Sequence, residues 1–110
     1  MKITLSLPTG INSLYKQGKH GWYKDIKAVN WQQEALWIIK SLKIHIPVYA
    51  TSIYIKFYRK DKRIWDIDSG LKLLIDTLVK GKLIKDDSQI TFLQVEKLKG
   101  KANYCEVELQ

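Results

Sequence analysis

Cysteine is almost absent. Cys105 is alone in 110 residues, so the chain can form no internal disulfide, and with His20 and His45 it makes no zinc cluster at a recognised spacing. Long hydrophobic runs are missing as well. No stretch of about 18 apolar residues occurs, so no membrane-spanning helix is expected. The opening MKITLSLPTG lacks the apolar core of a secretory signal. The expectation is a cytoplasmic protein with no membrane partner. Arginine is scarce: Arg59 and Arg63 are the only two among 19 Lys and Arg residues. Lysine acts as a point charge, better suited to attracting phosphate than to bidentate reading of bases. Acidic residues number 11, which leaves a formal net charge of +8.

The acidic residues are unevenly placed. Asp66, Asp68, Asp76, Asp86 and Asp87, five of the 11, fall in RIWDIDSGLKLLIDTLVKGKLIKDDSQI. Two carboxylates at 4 Å repel by about 1–4 kcal/mol, depending on the effective dielectric. A basic chain that nevertheless concentrates aspartates is expected to use them to hold a cation. Basic surface with clustered Asp is the layout of a metal-dependent enzyme acting on nucleic acid.

The length fits one domain spanning 1–110. Lys2 to Leu7 alternates as a half-buried strand, with Ile3, Leu5 and Leu7 on one side. Pro8 and Gly10 end it. TGINSLYKQGKHGWYK reads as a polar loop without a packed element, either mobile or ordering on a ligand. Asp25 to Leu42 reads as a helix with Ala28, Trp31, Ala35, Ile38 and Leu42 on one face. Leu36, Trp37 and Ile39 widen its apolar surface, so packing on more than one neighbour is expected. After Pro47, Val48 to Arg59 alternates as a long strand. A second helix runs from Asp68 or Ser69, either of which can cap it, to Lys80. Its stripe is Leu71, Leu74, Ile75 and Leu78, and Gly81 sits where a C′ glycine belongs. Ile90–Leu98 and Asn103–Leu109 read as strands joined by a Lys99–Ala102 hairpin. The expected fold is α+β, in the order β-α-β-α-β-β, with two helices on one mixed sheet.

Asp66 and Asp68 lie where strand gives way to helix. Residues i and i+2 of extended chain point to one side, so both carboxylates can reach one cation. If the Ile90 strand lies beside the Tyr49–Arg59 strand, Asp86 and Asp87 return towards them. Hard oxygen donors select Mg²⁺ or Mn²⁺ over zinc. Lys72, one turn into the helix, can reach a phosphate or developing charge, and Asp76 can pair with it at i, i+4.

The pattern D-x-D-x3-K-x3-D followed by D-D resembles the RusA family of Holliday-junction resolvases, matched at Asp66, Asp68, Lys72, Asp76, Asp86 and Asp87. LPTGINSLYK is similar to that family's opening P-x3-N-x2-Y, at Pro8, Asn12 and Tyr15. The resemblance covers nearly the whole chain. It implies a homodimeric endonuclease that recognises four-way DNA junctions and makes paired nicks with a divalent metal. It also implies that Asp66, Asp68 and Asp87 are the essential carboxylates and metal ligands, with Lys72 the essential lysine. The family has Asn directly after the second Asp, where this chain has Ser69, which keeps a short hydrogen-bonding side chain in a supporting place. Asp76 and Asp86 are expected to support rather than to ligate.

Lys56, Arg59, Lys60, Lys62 and Arg63 form a basic run expected to contact phosphate, with Asn12 and Lys16 from the N-terminal segment. Trp65 is either core or a wedge that unstacks a base step at the junction. His20 touches DNA or is a plain loop residue, and Cys105 reads as core. Two other readings stand beside the resolvase: a basic DNA-binding module whose aspartates only shape turns, and a metal nuclease for flaps or RNA.

Overall fold

The computed structural model describes residues 2–8, 15–18, 21–24, 26–42, 50–60, 67 and 70–110, with backbone alone for 15–18 and 21–24. Six strands and two helices follow in the order β1 (Lys2–Leu5), β2 (Tyr15–Gly18), β3 (Gly21–Lys24), α1 (Ile26–Ser41), β4 (Ser52–Arg59), α2 (Leu71–Lys80), β5 (Phe92–Lys99) and β6 (Tyr104–Leu109). A 3₁₀ turn, Asp87–Gln89, precedes β5. The architecture is α+β: a mixed four-stranded sheet, β1-β6-β4-β5, with both helices in its core. Among the described residues, no helix is long and apolar enough to cross a membrane.

The alternation of β4 and β6 does what period-2 patterning requires. Ile53, Ile55 and Phe57 of β4 and Cys105, Val107 and Leu109 of β6 are buried with Ile3 and Leu5 of β1. These residues share one sheet face, since Ile55 pairs with Val107 and Val107 with Ile3. Burial pushes the Cys105 thiol up to about 12, so it behaves as an apolar core residue.

Several expectations are corrected, two of them in the connections. The polar segment before α1 contains an antiparallel ribbon, β2 with β3, in register Tyr15 with Lys24 and Gly18 with Gly21. Its two-residue connection, 19–20, is the length that favours a tight hairpin. Conversely, Lys99–Ala102 is not a hairpin. β5 pairs in parallel with β4, and β6 pairs antiparallel with β4 on its other side. The connection therefore crosses the end of β4, where Gly100 N–H donates to Arg59 O at 3.0 Å. A Cβ on Gly100 would lie 3.1 Å from Tyr58 Cβ, which is why a glycine stands at this crossing. The sparsely buried strand takes the sheet edge and the fully alternating one the interior.

On α1 the buried stripe is Ala28, Trp31, Gln32, Ala35 and Ile39. Leu42 is exposed, Ile38 only half-buried, and Trp37 is 71% exposed. Trp37 is two residues from both Ala35 and Ile39, about 200° around the helix from each, so it faces away from the sheet. Gln32 is tolerated in the stripe because its polar atoms are satisfied. Its Nε2 donates to Thr77 Oγ1 at 3.0 Å, and its Oε1 accepts from Lys80 Nζ at 3.2 Å.

The α2 stripe is rotated from its expected position. Leu73, Leu74, Thr77 and Leu78 are buried, with Leu71 and Ile75 on the flank. Thr77 can go inside because its hydroxyl also donates to Leu73 O at 2.7 Å. The N-cap is Gly70, at φ 79°, with no side-chain cap. The N-cap position thus falls on Gly70, and Asp68 and Ser69, expected to cap α2, lie outside the described residues. Gly81 is not left-handed (φ −78°); Lys82, at φ 61°, is. Lys82 N–H donates to Val79 O and Leu83 N–H to Leu78 O, both at 3.0 Å, which is a Schellman ending with lysine at C′. Gly81 serves a different need: a Cβ there would sit 3.2 Å from two carbons of Ile39.

A left-handed non-glycine residue carries about 1–2 kcal/mol of strain, offset in part by glycine's greater unfolded-state entropy. Lys82→Gly is expected to stabilise the fold by about 0.5–1 kcal/mol, a rise of a few degrees in Tm by thermal denaturation. Lys82→Ala, which keeps a Cβ, gives no such rise.

Candidate functional site

Parallel strands cannot be joined by a tight turn and need a crossover. Here α2 supplies it, and the segment after α2 returns to the entry of β4. Three bonds fix that return: Gln89 Nε2 donates to Ala50 O at 2.8 Å, and Thr91 and Phe92 N–H donate to Thr51 O at 2.8 and 3.2 Å. The Gln89 side-chain oxygen also accepts from the backbone N–H groups of Lys85 (2.8 Å) and Asp86 (3.2 Å). One glutamine side chain thus ties together both ends of the Lys85–Gln89 turn and anchors it to the sheet. Sequence reasoning missed Gln89. Its signal is a Gln three residues after Asp86, the spacing of a capping box.

Asp86 and Asp87 are both exposed but differ in their surroundings. The Ser88 hydroxyl donates to Asp86 Oδ2. That bond, with further help from Asp87 and the local backbone, holds the Asp86 carboxyl below its ordinary value. Asp87 makes no salt bridge with any described residue. It lines an open cleft of about 410 Å³ together with Ile75, Ser88, Ile90 and Leu93. Ile75 brings α2 into the site. Lys72 is three residues before Ile75, on the same side of the helix, and is exposed. Asp76 is half-buried, and no salt bridge joins it to Lys72.

The structure thus brings Asp87 and Ile75 of α2 to one cleft, with Lys72 one turn before Ile75. Asp66, Asp68 and Ser69 lie outside the described residues, as do Lys62, Arg63, Trp65, Asn12 and His20. Among the described residues, no three His, Cys, Asp or Glu side chains form a group that could hold a metal ion. The donor chemistry of Asp87 suits a hard divalent cation: a solvent-facing carboxylate at a cleft, on a turn held by its own hydrogen bonds.

The basic residues are spread out. Lys56 is half-buried on the sheet face away from the core, in a depression it shares with Lys2, Tyr54, Glu106 and Glu108. Arg59 is half-buried at the end of β4. Lys60 is exposed just beyond it, its N–H donating to Asn103 Oδ1 at 2.8 Å. Lys16 is in β2, opposite Tyr23. Lys56 and the Asp87 cleft are therefore on different sides of the sheet.

No curated protein is similar enough to the chain to count as a match. The family model described as endodeoxyribonuclease RusA does match, over residues 7–110, which takes in α1, α2, the Asp87 turn and all the strands after β1. The chain belongs to the RusA family of endodeoxyribonucleases.

Proposed function

We propose that residues 1–110 form a single endonuclease domain that resolves four-way (Holliday) DNA junctions by paired nicks, with Mg²⁺ or Mn²⁺ as cofactor and as a homodimer. Membership of the RusA family supports the endonuclease class and the branched substrate. The observation that carries the site is the Asp87 carboxylate, which faces the cleft that Ile75 shares, one turn from Lys72.

Asp87 would hold the ion with Asp66 and Asp68, all three offering hard oxygen donors. When bound, such an ion supplies Lewis acidity towards phosphate and lowers the pKa of water towards 7. The Lys72 ammonium offsets the charge that builds on the phosphate oxygens during in-line attack. Cleavage leaves a 3′-hydroxyl and a 5′-phosphate. Asp86, committed to Ser88, shapes the turn, and Gln89 positions it. Asp76 and Ser69 take supporting places. Lys56, Arg59, Lys60, Lys62, Arg63, Asn12 and Lys16 contact the backbone, and Trp65 meets a base step at the junction centre.

A four-way junction has approximate two-fold symmetry, and paired cuts need two sites in fixed relation. Apolar residues left exposed on α1 (Ile26, Trp37) and β5 (Phe92, Leu93) offer surface for the second copy.

Asp87→Asn is expected to abolish Mg²⁺-dependent nicking of a synthetic four-way junction while junction binding in EDTA persists. Lys72→Met lowers single-turnover cutting by about 10²–10³-fold, the usual effect of deleting one group that stabilises developing charge. Binding with no cutting by the wild type across divalent ions would favour a non-catalytic module. Equal cutting of junction, linear duplex and RNA would favour a less selective nuclease.

Gln89 holds the Lys85–Gln89 turn through Lys85, Asp86 and Ala50, so its removal should act through the turn. Gln89→Ala is expected to raise the Mg²⁺ concentration for half-maximal cutting by about tenfold, as for other groups that orient metal ligands. A lower Tm with an unchanged Mg²⁺ midpoint would make Gln89 a fold residue only.

A further inference from the structure

The two helices run in the same sense where they meet: Gln32 meets Thr77, and further along Ile39 meets Gly81. Their C-terminal ends therefore converge. Beside that meeting point is an open cleft of about 520 Å³, within the size range of ordinary ligand sites (about 300–1,000 Å³). Lys40, Lys80 and Lys82 line it, and none of its described lining residues is acidic.

The unremarkable explanation is helix electrostatics. A helix C-terminus carries about half a negative charge, and lysines there are favourable. Two termini thus offer about one negative charge, against three ammonium groups. An excess of about two positive charges remains facing the cleft.

Two further features resist that explanation. The Lys80 ammonium is held by Gln32, which is itself buried and fixed by Thr77. A long, flexible cation is thereby held in place at the cleft. Lys82 occupies a left-handed position where glycine is favoured, while the glycine of the pair, Gly81, lies one residue earlier. A strained residue that keeps its charge is a reason to look for a ligand.

We infer that Lys40, Lys80 and Lys82 form a second phosphate-binding cleft that grips the DNA backbone away from the cut. Lys72 and Lys80 are separated by about 12 Å along α2, eight residues at 1.5 Å each. Successive phosphates on one strand are about 3.4 Å apart along the duplex. The cleft would thus engage backbone three or four nucleotides from the one met by Lys72. One helix would hold two points of the same DNA arm and set the register of the cut. This inference rests on DNA being the substrate, as proposed above.

The test is binding of a four-way junction and of a linear duplex, measured in EDTA by fluorescence anisotropy over a range of salt. Lys40→Gln with Lys82→Gly removes two charges per subunit while relieving the Lys82 strain. Affinity should fall by about tenfold, and the slope of log affinity against log salt should flatten by about 0.9 for each phosphate that is no longer neutralised. A Tm at or above that of the wild type would show that the weaker binding is not unfolding. Lys40→Gln alone, an exposed change in the last turn of α1, should flatten the slope by about half as much. Unchanged affinity and slope in both variants would overturn the inference and leave the lysines as helix-end charges. Because EDTA removes catalysis from the measurement, absence of cutting by the wild type would count against the endonuclease reading and not against the cleft.

Discussion

Parallel pairing between β4 and β5 is the constraint on which the site depends. Eight residues of each strand run in register, Ser52 with Phe92 through Arg59 with Lys99. Parallel neighbours must be linked by a crossover, so the chain from 60 to 91 leaves one end of β4 and returns at the other. That path lays α2 against the core through Leu73, Leu74, Thr77 and Leu78. It also delivers the Asp86–Gln89 turn to the entry of β4, where Gln89 locks it to Ala50. The position of Asp87 is thus a consequence of sheet topology, made firm by one amide side chain.

The electrostatic arrangement follows from the same crossover. In a chain of net charge +8, an exposed carboxylate without a described cationic partner is well placed to attract a divalent ion. The ends of α2 carry different chemistry. Its first turn carries Lys72, one turn before the Ile75 that lines the Asp87 cleft, and its C-terminal end brings Lys80 and the following Lys82 beside Lys40. The buried Gln32–Thr77 hydrogen bond joins the helices between these ends.

Periodicity made much of the fold legible. Alternation identified β1, β4 and β6, and apolar spacing identified both helices to within a few residues. What periodicity cannot carry is partner choice. Ile90–Leu98 and Asn103–Leu109 are consecutive strands with a glycine between them, so they read as a hairpin, yet β4 lies between them. The glycine there answers to the closeness of Tyr58, not to a turn. The β2–β3 ribbon is hard to read because its four-residue strands, YKQG and GWYK, are short, carry a glycine each and show no clear apolar–polar alternation. Gly70 and Lys82 reverse the expected roles at the ends of α2, since capping there is settled by backbone geometry. Of the site, composition exposed the clustered aspartates, and spacing separated Lys72 from the other lysines. Gln89 offers only its capping-box spacing after Asp86, and its anchoring role lies in a hydrogen bond to a residue 39 positions away.

A shared metal site built from both ends of the crossover is the central claim. Crystals grown with Mn²⁺ and measured for anomalous scattering test it most directly. The predicted result is a Mn²⁺ peak within coordination distance of the Asp87 carboxylate, with Asp66 and Asp68 completing the ligand set. A peak held elsewhere, or an Asp87 side chain turned away from Asp66 and Asp68, would contradict it.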